Sequence, residues 1–127
     1  MSSSFHTLDR AEFLLLTTYR RTGDPVHTTV WFAEADGKLF VTTLDGAGKV
    51  KRIRNNGAAV VAPSDARGEV SGPEQRVRAR VLTEEEFPVA REALEAKYGD
   101  KFRQVVSRPL QGSRIYLEIS PATEYIA

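Results

Sequence analysis

The sequence has no cysteine, only two histidines, and a formal net charge of just +1. Without cysteine there are no disulfides, no thiolate nucleophile and no sulfur-bound zinc or iron. His6 and His27 stand 21 residues apart with no carboxylates at ligand spacing around them, so no metal site is expected. The near-neutral charge argues against a non-specific nucleic-acid binder, and any electrostatic function must be local. No apolar run approaches the ~20 residues of a membrane span. The opening "MSSSFHT" lacks a basic region followed by an apolar core. The expectation is a soluble cytoplasmic protein.

Catalytic signatures are missing too. There is no GxSxG, HExxH, P-loop or GxGxxG. If the chain is an enzyme, its reactive group is borrowed from a cofactor, and no catalytic side chain is assigned.

What is present is a succession of short β patterns. "EFLLLTTYR" (12–20) reads as a strand running into the turn "RTGDP". "VHTTVWFAEA" (26–35) reads as one strand with Thr28, Val30 and Phe32 on one face and His27, Thr29 and Trp31 on the other. "ADG" turns the chain into "KLFVTTL" (38–44). A buried strand, "AAVVAPSD" (58–65), is expected to end at Pro63. In "QRVRARVL" (75–82), Val77, Ala79 and Val81 alternate with Arg76, Arg78 and Arg80, an arginine stripe that suits an edge strand guarded against aggregation. The last strand is sought in "SRIYLEISPATEYIA" (113–127).

Helices are expected at 46–56, from about 87 to Tyr98, and at 100–107. Thr83 and Glu86 have capping-box spacing, while Pro88 pushes the regular helix to begin near 87 and leaves the acidic run as an irregular first turn. Length and pattern fit one domain, 1–127, of class α+β, with an antiparallel sheet curled into a small barrel. Several strands are apolar on both faces, which suggests burial against a second copy.

The densest chemistry lies in "DGAGKVKRIRNN" (45–56). On a helix Lys49, Arg52 and Asn56 share a face, with Lys51 and Arg54 on its flanks. Gly46 and Gly48 permit close backbone approach, the helix N-terminus offers unpaired N–H groups, and Thr42 and Thr43 add hydroxyls. Such a set suits a phosphate dianion. A solvated cationic helix, or one resting on a nucleic-acid duplex, fits the same spacing.

Residues 14–68, from "LLLTTYRRTGDPVHTTVWF" through "TTLDGAGKVKRIRNN" to "VAPSDARG", resemble the split-barrel flavin and deazaflavin reductases. The similarity is to families related to pyridoxamine-phosphate oxidase, and specifically to the branch of PPOX-class F-420-dependent enzymes. It implies a six-stranded split β-barrel with two or three peripheral helices, dimerised with a coenzyme at each interface groove. It also implies hydride transfer between F-420, or alternatively FMN, and a small organic substrate. Carried over by position, Thr28, Thr29, Val30 and Trp31 would line the tricyclic ring. Thr42, Thr43, Gly48, Lys49 and Arg52 would hold the phosphate, with Lys51 nearby. Many members carry proline where this chain has Thr29. The acidic tail of F-420 would need a further basic lane, for which Lys51, Arg54, Arg76, Arg78 and Arg80 are candidates. The rival readings are an FMN-dependent oxidase and a non-catalytic coenzyme-storage protein. Tyr116 is a candidate proton donor or a packing residue.

Overall fold

The computed structural model describes residues 11–107 and 113–122, with Phe5 and Leu8. His6 and the end of the expected last strand, 123–127, lie outside the described residues.

Alternating β-branched, aromatic and leucine residues build seven strands: β1 (Phe13–Tyr19), β2 (Pro25–Trp31), β3 (Ala33–Ala35), β4 (Lys38–Leu44), β5 (Ala58–Ser64), β6 (Gln75–Val81) and β7 (Arg114–Pro121). All pair antiparallel in one sheet of order β2-β1-β5-β6-β7-β4-β3. The two edge strands, β2 and β3, follow each other in sequence, with only Phe32 between them. The chain itself therefore joins the sheet's two edges, and the sheet curls into a half-closed barrel. The segment 26–35, expected as one strand, is two, which makes seven segments of the six anticipated. The cause is local: Phe32 N–H donates to the Tyr98 hydroxyl at 3.0 Å instead of entering a ladder.

The register puts Leu14, Leu16, Val30, Leu39, Val41, Ala59, Val61, Val77, Ala79, Leu117 and Ile119 in one core inside the curl. Leu14, Leu16, Val41, Val61, Leu117 and Ile119 are fully buried, each contributing about 1.5–3 kcal/mol relative to exposure. Helix α1 (Gly48–Asn55) closes one end by turning Val50 and Ile53 inward. Helices α2 (Phe87–Tyr98) and α3 (Asp100–Ser107) cover the outside of β3, β4 and β7 through a second core of Phe40, Leu82, Ala90, Leu94, Phe102 and Tyr116. As the proline requires, α2 starts at Phe87 after a single 3-10 turn, Glu84–Glu86. The Glu86 carboxylate accepts the Thr83 N–H at 2.9 Å.

Two strand expectations change. β5 continues through Pro63 to Ser64, because its pairing with β6 stops at Val61 and the missing proline N–H costs no ladder bond there. β6 is interior, flanked by β5 and β7, so edge protection does not explain its arginines. Arg80 instead ties three elements together. Its Nε donates to Glu118 Oε1 at 3.0 Å, and its Nη2 donates to Glu86 Oε2 at 2.7 Å. Glu86 carries the effect in its acidity: the Arg80 hydrogen bonds, then the Thr83 N–H, hold its carboxyl down at about 2.

Candidate functional site

Helix α1 has its first residue at Gly48, and no side chain caps its N-terminus. At 3.6 residues per turn, facing Val50 and Ile53 into the barrel turns positions 48, 51, 52 and 55 outward. These four residues, with Tyr19, Arg20 and Arg21 from the end of β1 and its turn, line a cavity of about 390 Å³. Two of its four cations, Lys51 and Arg52, belong to the anticipated anion-binding set. Arg20 and Arg21 do not: the sequence reads them only as a strand end and the start of a turn.

Arg52 is the best-positioned of the four. It is half-buried, and its Nε donates to the Oγ1 of Thr18 at 2.7 Å, a hydroxyl buried at the end of β1. Its guanidinium lies over Gly48, where any Cβ would come within 2.9 Å of Nη1. Among the described residues no carboxylate pairs with it, so its remaining N–H groups are open to the cavity. Lys49 stands on the flank of the helix, half-buried, outside the cavity lining. Burial, and then the neighbouring Arg52 charge, hold its ammonium below the ordinary lysine value. Two adjacent, partly desolvated cations with no carboxylate paired to them among the described residues make a strong local positive potential.

The other anticipated phosphate ligands do not line this cavity. Thr43 points into the barrel and is 8% exposed. Thr42, on the outer face, donates to Ile115 O at 3.3 Å and accepts from Arg114 Nη1 at 3.0 Å. Asn56, expected on the cationic face, caps the helix end and accepts the Ala58 N–H at 3.0 Å. Of the proposed basic lane, Arg54 is paired with Asp45 at 2.9 Å and Arg80 is paired as above. Only Lys51 lies beside the cavity.

Above the cavity runs the outer face of β1 and β2. Register places Tyr19 opposite Pro25, Thr17 opposite His27, Leu15 opposite Thr29 and Phe13 opposite Trp31. Thr29 and Trp31 point outward along this track, whereas Thr28 and Val30 share the inward face of Leu14 and Leu16. Thr28 and Val30 can therefore offer a ligand backbone groups rather than side chains. The track has an open flank: β2 has no strand beside its outer edge among the described residues, so alternate N–H and C=O groups between Thr28 and Trp31 are free of ladder bonds. Gly68, at φ +86°, brings the 65–72 loop so close to Thr29 that a Cβ would meet its Oγ1 at 2.9 Å. His27 lies on the same face, its Nδ1 2.8 Å from the Thr17 hydroxyl.

Trp31 stacks on Tyr98, with ring centroids 4.6 Å apart and planes 13° from parallel. Tyr116 is 3% exposed and meets Phe87 edge-on at 5.1 Å beneath α2. Its place is packing between sheet and helix, away from the track.

No family model matches the chain, and no curated protein does. Solved structures do. The heme storage protein HutZ of Vibrio cholerae superposes with a TM-score of 0.69 at 14% identity, covering 97% of this chain and 92% of that one. An F-420 reductase superposes at 0.59 and 22% identity, covering 97% of each chain. A protein of unknown function from Agrobacterium tumefaciens superposes at 0.66 and 18% identity over 87% of this chain, which spans only 48% of that one. What is shared at such identities is the fold, the split barrel of the pyridoxamine-phosphate-oxidase-like proteins.

Proposed function

We propose that this chain is an F-420-dependent oxidoreductase, which moves a hydride between the deazaflavin coenzyme and a small organic substrate. The whole chain, 1–127, acts as one coenzyme-binding unit and pairs with a second copy. One observation carries the reading: a half-buried Arg52 guanidinium, fixed by Thr18 and unpaired with any carboxylate among the described residues, opens on a cavity it shares with Lys51, Arg20 and Arg21. A charge held out of water at this expense fits a site made for an anion. The resemblance of 14–68 to the deazaflavin branch, and the fold in common with an F-420 reductase, support the choice of coenzyme.

Arg52 and Lys51 bind the phosphate, with Gly48 admitting it close to the helix N-terminus. Lys49 adds field from the flank. Arg20 and Arg21 take over the basic lane for an acidic tail, since Arg54 and Arg80 are spent on carboxylates of their own. Thr29, Trp31 and the free edge of β2 face the ring. When bound, the deazaflavin supplies two-electron hydride chemistry, with a carbon where a flavin has its central nitrogen. The chain's own contribution is orientation and exclusion of water from the track.

The half-buried outer residues Phe13, Leu15 and Val60 on β1 and β5 carry no helix over them among the described residues and supply the apolar face for the second copy. A second reading, a coenzyme carrier without turnover, draws on the fold in common with a heme storage protein. FMN is the alternative ligand.

The test is titration of purified protein with F-420 and with FMN, comparing wild type with Arg52→Ala and Lys49→Ala. Arg52→Ala is expected to weaken coenzyme binding by about 1–3 kcal/mol, the scale of a lost charged hydrogen bond, and Lys49→Ala, which removes field but no contact, by less than Arg52→Ala. Unchanged affinity in both variants moves the phosphate elsewhere. Tight F-420 binding with no oxidation of the reduced coenzyme by any acceptor selects the carrier.

A further inference from the structure

Away from the α1 cavity, with no lining residue in common, a second cavity of about 330 Å³ lies between α2 and the β3 end of the sheet, lined by Leu8, Phe32, Ala33, Glu34, Ala93, Ala96 and Lys97. Its walls are apolar except for Glu34 and Lys97. Nothing in the proposed coenzyme chemistry uses it.

Lys97 Nζ is held on two sides. It donates to Ala11 O at 2.8 Å and lies 3.5 Å above the centre of the Phe32 ring. We propose that Lys97 is an acylation site: a nucleophilic amine that accepts short apolar acyl groups from uncharged activated esters or thioesters, with the acyl chain housed in the cavity beside it.

The geometry sets the direction of attack. A neutral amine at this position keeps one N–H on Ala11 O, and its lone pair is repelled by the electron-rich face of Phe32, so the lone pair turns to the cavity. The nitrogen attacks the acyl carbonyl carbon, the carbon–oxygen or carbon–sulfur bond breaks, and the alcohol or thiol leaves with the electron pair. The nitrogen's surplus proton passes to water or to the Glu34 carboxylate in the same cavity. The amide product retains the N–H donor to Ala11 O and carries no charge, so the cost of partly desolvating an ammonium disappears. Leu8, Ala33, Ala93 and Ala96 then contact the chain of the acyl group.

The charged groups around Lys97 are Glu12, ahead of β1, Glu34 on β3, and Lys101 on α3, which pairs with Glu12 at 3.5 Å. The two carboxylates disfavour anionic acyl donors and help retain the proton on Lys97, yet burial outweighs them and brings its pKa down to about 8. The neutral fraction at pH 7 is then roughly 300-fold that of an ordinary lysine. Part of this advantage is returned through the lower nucleophilicity of a less basic amine.

The experiment treats the full chain with p-nitrophenyl butyrate between pH 6.5 and 10.5 and quantifies butyrylation at each of the lysines by peptide mass spectrometry. Lys97 is expected to react about tenfold faster than Lys38, Lys51 and Lys101, which line no apolar cavity and share its exposure to solvent, with a rate that climbs through an inflection near pH 8. Lys97→Arg, which keeps a cation over Phe32, should remove that label and leave the others unchanged. Ala96→Leu, which fills the cavity wall, should slow Lys97 at least threefold without moving its inflection. Labelling spread evenly over the lysines, an inflection above pH 10, or a rate indifferent to Ala96→Leu overturns the proposal.

Discussion

Gly48 shows how much of the α1 cavity depends on a missing side chain. A Cβ at this position would press on Arg52 Nη1 at 2.9 Å, and because the obstacle is the tip of a flexible side chain, the guanidinium would yield rather than the helix. Alanine is also the better helix former, by about 1 kcal/mol in a helix interior and less at this first position. Gly48→Ala is therefore expected to leave the melting temperature unchanged or higher while weakening coenzyme binding at least fivefold, as read by parallel thermal melts and coenzyme titrations. A loss of both together would make the glycine structural. Gly48, Lys51 and Arg52 are within reach of the sequence because one short helix carries them, though spacing alone puts Lys49 on the shared face and Lys51 on its flank, the reverse of the cavity lining. Arg20 and Arg21 are not, because nothing local says that a hairpin turn comes to rest against a helix some thirty positions away.

At the scale of elements, Tyr98 governs where β2 stops and β3 begins. Its hydroxyl accepts the Phe32 N–H and shares its own proton between Phe32 O at 2.8 Å and Glu12 O at 2.6 Å. One side chain on α2 thus satisfies backbone groups of two strand ends that no ladder serves. Burial pushes the phenol's pKa up, so it stays a donor over the physiological range. Tyr98→Phe keeps the ring that stacks on Trp31 and removes only the hydroxyl. It is expected to cost about 1–3 kcal/mol in urea unfolding, followed through the fluorescence of Trp31, the chain's one tryptophan. A cost below about 0.5 kcal/mol would mean that water replaces the hydroxyl. In the sequence Tyr98 is the last apolar position of a helical stripe, and it does pack there. Its second duty to residues 66 and 86 positions away has no local signature.

For the whole molecule, the outer faces of the sheet divide in two. Over β3, β4 and β7 the helices α2 and α3 provide the cover, and Phe40 and Tyr116 are buried beneath them. Over β1 and β5, Phe13, Leu15 and Val60 remain half-buried. If that second face meets another copy and completes the coenzyme groove, Leu15→Lys should halve the sedimenting mass and weaken coenzyme binding by tenfold or more, with the far-ultraviolet circular dichroism of the barrel retained. A wild-type chain that already sediments as a monomer would break the link between pairing and binding.

The sequence by itself determined what depends on near neighbours. The two-residue period of the strands, the start of α2 forced by Pro88, the inward pair Val50 and Ile53, and the exclusion of thiol chemistry all follow from residues within a turn or a pleat of one another. Only the tertiary structure decided that β6 is interior, that Arg20 and Arg21 line the cavity beside Arg52, and that Thr42 and Thr43 do not line it. The physical reason is that antiparallel pairing and barrel closure are settled by the burial of whole strands against one another. The order in which distant strands meet leaves no mark on the few residues around any one of them.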